Sequence, residues 1–141
     1  MLVLDTNVLI YAVHERSAQH SEARAWLTGT LAGSEIVGIP WQSALGFVRI
    51  TTNPRVFSKP LPVEEALGAV RSWLAHPRVT VPEPTRRHLD ILAGLLETAG
   101  TAGNLTADAH LAALALEHGG AVASFDRDLA RFGVRVVVPT P

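Results

Sequence analysis

Three aspartates lie beside apolar segments of the chain. Asp5 follows the apolar run 2–4, Asp126 follows the run 121–125, and Asp108 lies near the start of an apolar helical stretch. A carboxylate in such a place is costly to desolvate unless it is hydrogen-bonded, paired or bound to a metal ion. If two of them met about 4 Å apart, their repulsion would cost about 4 kcal/mol at an effective dielectric constant of 20. A cluster of these acids would therefore need a divalent cation or raised pKa values.

The chemistry of such a cluster follows from its ligand atoms. Sites made only of oxygen ligands favour Mg²⁺ or Mn²⁺ over zinc. A metal ion held in this way activates water and stabilises the charge that develops on a phosphoryl oxygen. The three aspartates therefore predict a metal-dependent hydrolase of phosphodiester bonds.

Each acid also has a purely structural interpretation. Asp5 and Asp126 both precede predicted helices, so each could be a helix N-cap. Asp128 could be an acid on a solvated helical turn, and Asp108 could complement a helix dipole. The apolar stripe that follows Asp108 at i+3, i+4 and i+7 favours a functional role for it, whereas both interpretations of Asp5 and Asp126 remain open.

The segments that must position these acids alternate between strand and helix patterns. This alternation predicts an α/β sandwich with a mainly parallel sheet, in which ligands bind outside the carboxyl ends of the strands. We predict strands over residues 2–4, 35–39, 78–81, 121–125 and 134–138. We predict helices from residue 6 onward and over 20–31, 41–52, 63–75, 85–99, 106–118 and 126–132, with a proline-containing loop over 53–62.

Composition excludes several classes of protein. The 141 residues predict a single domain over 1–141, and the absence of cysteine excludes disulfides, thiolate metal sites and a cysteine nucleophile. Twelve Lys and Arg against thirteen Asp and Glu give a net charge of −1, so no overall positive field attracts nucleic acid. No targeting segment and no run of about 18 apolar residues is present, so we expect a cytoplasmic protein without membrane contact.

Other polar and aromatic residues give weaker signals. The six histidines form no HExxH pair, which argues against a zinc site of that kind, and the sequence has no GxSxG elbow, which argues against a Ser–His–Asp hydrolase. We therefore interpret the histidines as surface or core-edge residues. The tryptophans lie on apolar helical stripes and are predicted to be core residues, with contact to a partner as the alternative: Trp26, Trp41 and Trp73. Basic residues near the proline loop and near Asp126 form either a solvated face or phosphate contacts: Arg49, Arg55, Lys59, Arg127 and Arg131.

Three motifs together resemble a known family. LDTNVLIYA at residues 4–12, TADAHLAALALEHGG at 106–120 and ASFDRDLARF at 123–132 resemble the PIN domain, and more narrowly the VapC-like ribonuclease toxins of toxin–antitoxin pairs. The resemblance implies a PIN-like three-layer sandwich, with a mainly parallel sheet of four or five strands and helices on both faces. It also implies an endoribonuclease that depends on Mg²⁺ or Mn²⁺.

The resemblance assigns roles to individual residues. It implies that Asp5, Asp108 and Asp126 are catalytic metal ligands and that Asp128 is a further catalytic acid. Three polar residues match supporting positions around such a site: Thr6, Asn7 and Ser124. The implied partners are an RNA substrate, a cognate VapB-like antitoxin and a second copy of the chain in a homodimer.

One position departs from the family pattern. The family supplies a glutamate from the helix after the second strand, but no acid occurs here between Glu35 and Glu64, and the expected position falls at about Ala44. Ser43 or Gln42 could bind a water on the metal, although a structural role suits both. Three carboxylates can still hold one Mg²⁺ because that ion keeps several waters. The alternative function is a PIN-fold protein-binding module with weak catalysis.

Overall fold

The computed structural model describes residues 1–140, which contain a five-stranded parallel sheet. Its strands are β1 (Leu2–Leu4), β2 (Val37–Gly38), β3 (Val79–Thr80), β4 (Ala121–Ala123) and β5 (Val136–Val137). They lie in the order β3-β2-β1-β4-β5, and every neighbouring pair is parallel. Strand β2 is shorter than the predicted 35–39, and Ile36, which directly precedes it, is exposed. The last predicted residue of the domain, Pro141, lies outside the described residues.

Six α-helices connect the strands, close to the predicted positions. They are α1 (Thr6–Val13), α2 (His20–Ala32), α3 (Trp41–Thr51), α4 (Val63–Ala75), α5 (His88–Ala99) and α6 (Thr106–Glu117). Short 3₁₀ turns cover Gly103–Leu105 and Arg127–Phe132. Helix α5 begins three residues later than predicted. Within residues 1–140, no helix is long and apolar enough to cross a membrane.

Two apolar clusters cover the two faces of the sheet. Leu2 and Leu4 of β1 point into a cluster that includes buried residues of α1, α2, α3 and α4. Val3, on the opposite face of the same strand, packs in a cluster with α6 and with partly buried residues of α5. The alternation along β1 follows from the two-residue period of a strand. The predicted three-layer sandwich with helices on both faces is therefore confirmed.

Two glycines allow close approaches between these elements. A Cβ atom on Gly46 in α3 would lie 3.0 Å from Oγ1 of Thr6, so α3 crosses α1 directly beside the end of β1. A Cβ atom on Gly120 would collide with the backbone carbonyl of Met1. The amide of Ala121 donates to that same carbonyl at 3.1 Å, which fixes the start of β4 against the start of β1.

The tryptophans differ in their burial. Trp26 and Trp73 pack against the first apolar cluster, and the ring of Trp73 lies 5.0 Å from that of Phe47 in an edge-to-face arrangement. Trp41, however, is 50% exposed. The prediction that all three are core residues is therefore wrong for Trp41. It is the first residue of α3 and lies at the edge of the sheet, where its indole is left half uncovered.

Candidate active site

Asp5 lies where β1 ends and α1 begins, at the carboxyl edge of the sheet. Its amide donates to the carbonyl of Ala123 at 2.9 Å, which holds the ends of β1 and β4 side by side. Its Oδ1 accepts from the amide of Thr6 at 2.7 Å, so Asp5 does cap α1. Its Oδ2 accepts from Oγ of Ser124 at 2.6 Å and from Nδ2 of Asn7 at 3.2 Å. The structural and functional interpretations of Asp5 are thus compatible.

A polar network joins Asp5 to Asp126. Oγ of Ser124 donates to Asp5 and accepts from Nδ2 of Asn7 at 3.1 Å and from the amide of Asp126 at 2.9 Å. Oδ1 of Asn7 accepts from the amide of Phe125 at 3.2 Å, which fixes the orientation of the Asn7 side chain. Ser124 itself is fully buried. The end of β4 and the start of α1 are therefore locked together around one hydroxyl group.

Asp126 and Asp128 have different environments. Asp126 is the cap of the 3₁₀ turn that follows β4, and its Oδ1 accepts from the amide of Asp128 at 2.9 Å. Asp128 is exposed, and only its backbone takes part in this hydrogen bonding. Its side chain lines an open surface cavity together with Arg127 and Arg131. The structure brings the backbone amide of Asp126 into the polar network and leaves the carboxylate of Asp128 outside it.

The carboxylates of Asp5, Asp108 and Asp126 share one electrostatic field. Burial raises the pKa of Asp5, hydrogen bonds from Ser124 and Thr6 oppose this rise, and the charge of Asp126 adds to it. Burial also raises the pKa of Asp108, and the charges of Asp5 and Asp126 raise it further. Like charges that lie near each other disfavour ionisation in this way. The charges of the three predicted metal ligands therefore interact with one another.

The chemistry of this donor set suits a hard divalent cation in an open site. Within residues 1–140, the amino group of Met1 pairs with Glu35, and Glu117 is in hydrogen-bond contact with His88, so neither pair neutralises the three aspartates. No group of three His, Asp or Glu residues within the same range is arranged closely enough to hold a metal ion. The carboxylates of Asp5, Asp108 and Asp126 would suit a hard divalent cation such as Mg²⁺, which keeps several of its own waters when it binds to a protein.

The first turn of α3 supplies no acid to this site. Ala44, the expected glutamate position, is 1% exposed and belongs to the apolar cluster. Oγ of Ser43 donates to the carbonyl of Leu4 at 2.7 Å, and Nε2 of Gln42 donates to the carbonyl of Ala107 at 3.2 Å. These contacts are structural, since they fasten α3 to the residues that precede Asp5 and Asp108.

A second polar cluster was missed by the sequence analysis. The side chain of Glu117 in α6 is 1% exposed and accepts from the amide of Thr85 at 2.5 Å. It also contacts Nδ1 of His88, and Nε2 of His88 lies 2.8 Å from Nδ1 of His110. Burial raises the pKa of Glu117, but the hydrogen bonds from Thr85 and His88 outweigh it, so the net shift is downward. His110 and Glu117 are seven residues apart in the sequence, which places both on one face of α6. This spacing could have predicted that the two side chains lie near each other.

Comparisons with known proteins agree with this architecture. The family described as PIN domain matches residues 2–134. Ribonuclease VapC37 of Mycobacterium tuberculosis is 48% identical over 136 residues, which cover 96% of this chain and 94% of the relative. Ribonuclease VapC33 of the same species is 42% identical over 132 residues, which cover 94% of this chain and 92% of the relative.

Solved structures share the same fold at lower sequence identity. FitAB bound to an IR36 DNA fragment matches with a TM-score of 0.67 and 21% identity, covering 99% of this chain and 95% of that chain. VapBC2 from Rickettsia felis, bound to a DNA fragment from its promoter, matches with a TM-score of 0.66 and 14% identity, covering 96% of each chain. At such identities the likeness concerns the fold alone.

Proposed function

The chain belongs to the PIN-domain family, and from this premise we propose that it is a metal-dependent endoribonuclease, the toxin of a type II toxin–antitoxin pair. The proposal rests on the electrostatic interaction among the carboxylates of Asp5, Asp108 and Asp126 at the carboxyl edge of the sheet. The identity of 42–48% to proteins named as ribonucleases supports hydrolysis of RNA as the reaction.

Each site residue has a distinct task under this proposal. Asp5, Asp108 and Asp126 would hold Mg²⁺ or Mn²⁺, and the ion would supply an activated water and stabilise charge on the phosphoryl oxygen. Ser124 and Asn7 donate to Oδ2 of Asp5 and so fix the direction of its lone pairs. Groups that orient metal ligands in this way are often as important to a site as the ligands themselves. Asp128 orients a water molecule at the rim of the site.

The substrate is RNA in a single-stranded or looped form. A shallow edge of carboxylates cannot read the interior of a duplex, whereas the bases of single strands can be splayed out. The overall charge of −1 gives the protein no general attraction for RNA, so contacts to phosphate groups must come from local basic residues. Arg127 and Arg131, which are exposed next to Asp128, supply these contacts.

The regulatory partner is a VapB-like antitoxin, as the names of the VapC relatives and of the VapBC2 structure suggest. Exposed apolar side chains on α3 and α4 offer a surface for an amphipathic segment of that partner: Leu45, Val63 and Leu67. The toxin is expected to form a homodimer.

A second candidate function is a PIN-fold binding module with weak catalysis. Two observations favour it. Ala44 is buried at the position where the family supplies a glutamate. Within residues 1–140, no three His, Asp or Glu side chains lie close enough together to hold a metal ion. Under this alternative the chain would bind its partner and metal but would not hydrolyse RNA.

Cleavage of single-stranded RNA in Mn²⁺ separates the two candidates. We expect cleavage by the wild-type protein, and we expect it to be lost in EDTA and in Asp126→Asn. Asp90→Asn is the matched control, because Asp90 is an exposed acid in the first turn of α5, on a different element. Metal binding without cleavage of any RNA would favour the binding module.

A further inference from the structure

A cavity of about 230 Å³ lies at the same edge of the sheet as the three aspartates. It is lined in part by Pro40 and Pro82, which follow the carboxyl ends of β2 and β3. Pockets for drug-sized ligands usually measure about 300–1,000 Å³, so this one suits a smaller planar group such as a single base. None of the roles assigned so far uses this cavity.

Hydrogen bonds fasten the cavity to the acidic site. Trp41 lines it, and the next residue, Gln42, donates to the carbonyl of Ala107, which directly precedes Asp108. Ser43 donates to the carbonyl of Leu4, which directly precedes Asp5. The first turn of α3, which lines the cavity, is therefore fastened to the residues that precede two of the acids.

Trp41 gives the cavity an aromatic wall. Its indole is 50% exposed although the first turn of α3 around it is held by two side-chain hydrogen bonds. Stacking of a base on such a side chain contributes about 1–3 kcal/mol and requires no particular sequence. An exposed and positioned indole beside a nuclease site is what an unpaired base would stack on.

Two side chains of the cavity lining, those of His110 and Glu83, can accept hydrogen bonds. The ionised Glu117 can only accept, so Nδ1 of His88 donates to it. When both imidazoles are neutral, Nε2 of His88 then accepts from Nδ1 of His110, which leaves Nε2 of His110 as an acceptor. That atom has no partner within residues 1–140, and Glu83 adds a second acceptor to the lining.

We infer that this cavity binds one unpaired guanine of the RNA, stacked on Trp41, with its N1–H and N2–H groups directed to the acceptors of His110 and Glu83. Guanine has two adjacent donors on its Watson–Crick edge, which suits a pocket with two acceptors, whereas uracil has one. The inference rests on the proposed ribonuclease function for its choice of ligand. It makes Trp41 and His110 specificity-determining residues and gives them no part in the hydrolysis.

Binding of short RNAs to the Asp126→Asn protein tests the inference without cleavage. The probes are a uridine decamer with one central guanosine and the all-uridine decamer, each with a terminal fluorophore for anisotropy. We expect the guanosine decamer to bind at least about fivefold more tightly. Trp41→Ala should weaken its binding about 5- to 100-fold, and Trp41→Phe should restore part of the loss. His110→Ala should abolish the preference for guanosine.

Ile36→Ala is the matched control, because Ile36 is an exposed apolar residue directly before β2 that does not line the cavity. Equal binding of both decamers, or loss of binding in Ile36→Ala as large as in Trp41→Ala, would overturn the inference.

Cleavage by proteins that retain Asp126 separates this inference from the proposed function. If the wild type cleaves RNA, Trp41→Ala should raise KM about 5- to 100-fold and change kcat less than about twofold. An unchanged KM would overturn the guanine pocket and leave the nuclease intact. If the wild type cleaves no RNA while Trp41→Ala still loses the guanosine decamer, the nuclease proposal fails and the pocket stands.

Discussion

Asp108 lies in the field of two other carboxylates, and its side chain accepts no hydrogen bond within residues 1–140. Asp5 is better compensated, because three donors surround its carboxylate. Replacing Asp5 would therefore remove both charge repulsion and hydrogen bonds. Replacing Asp108 by a neutral residue removes the charge repulsion without removing a hydrogen bond.

Asp108→Asn should stabilise the metal-free protein at pH 7. The folded-state pKa of Asp108 is raised above 3.8, so the folded protein loses stability as pH rises from 3.8 through that higher value. Asparagine removes this loss, and solvent screening limits the gain to a few tenths of a kcal/mol. Thermal unfolding in EDTA at pH 7 and pH 3.5 measures the effect, which should vanish at the lower pH. A lower midpoint than wild type at pH 7 would contradict the account.

Ser124→Ala should weaken metal binding more than it weakens the fold. The substitution removes the donor to Asp5 and the acceptor for Asn7 and for the amide of Asp126. Loss of a group that orients metal ligands costs about 10- to 100-fold in metal affinity. Mn²⁺ titration followed by electron paramagnetic resonance gives the affinity, and circular dichroism checks the fold. Wild-type affinity in a folded Ser124→Ala protein would show that the network has no role in positioning Asp5.

Helix α5 begins three residues later than the sequence predicted, at His88. Oγ1 and the carbonyl of Thr85 accept from the amides of Arg87 and His88, so these residues form a turn that precedes the helix. The amide of Thr85 donates to Glu117, which lies 32 positions away in the chain and could not be paired with Thr85 from the sequence. By contrast, the bounds of β1 and α4 were predicted correctly, because an unbroken apolar run and a proline followed by two first-turn acids are local signals.

The hydrogen bonds that join Glu117 of α6 to Thr85 and His88 should stabilise the protein less at acid pH. Hydrogen bonds lower the folded-state pKa of Glu117 below 4.5, so its stabilising contribution is complete above pH 4.5 and is lost as pH falls through the lower folded value. Urea unfolding between pH 6 and pH 3 should show this loss in the wild type and a shallower slope in Glu117→Gln. Glu97→Gln, an exposed acid of α5, serves as the control and should keep the wild-type slope.

Two glycines should respond in opposite directions to the same substitution. Gly120→Ala places a methyl group against the carbonyl of Met1 and should destabilise the protein by more than about 1 kcal/mol. Gly94→Ala lies on the exposed side of α5 with nothing within 4 Å, and it should stabilise by about 0.5–1 kcal/mol. Chemical denaturation measures both. A neutral Gly120→Ala would mean that β1 and β4 can separate at their start without cost.

Across the whole molecule, topology made the nearness of Asp5 and Asp126 predictable. Parallel strands place their carboxyl ends at one edge, so Asp5 and Asp126 had to meet there once β1 and β4 were neighbours. The separation of the acids was not predictable, because it depends on how α6 packs against the sheet. The exposure of Trp41 was missed for a similar reason: an apolar stripe predicts a buried face only if another element covers it.

The position of one bound divalent ion would show whether the three aspartates form a metal site. Crystals of the wild-type protein soaked in Mn²⁺, with anomalous diffraction measured near the manganese edge, should show one ion in contact with at least two of the carboxylates of Asp5, Asp108 and Asp126. Asp90→Asn crystals should show the same peak, and Asp126→Asn crystals should lose it. A protein that cleaves RNA but carries its manganese elsewhere, or carries none, would contradict the assignment of these three aspartates.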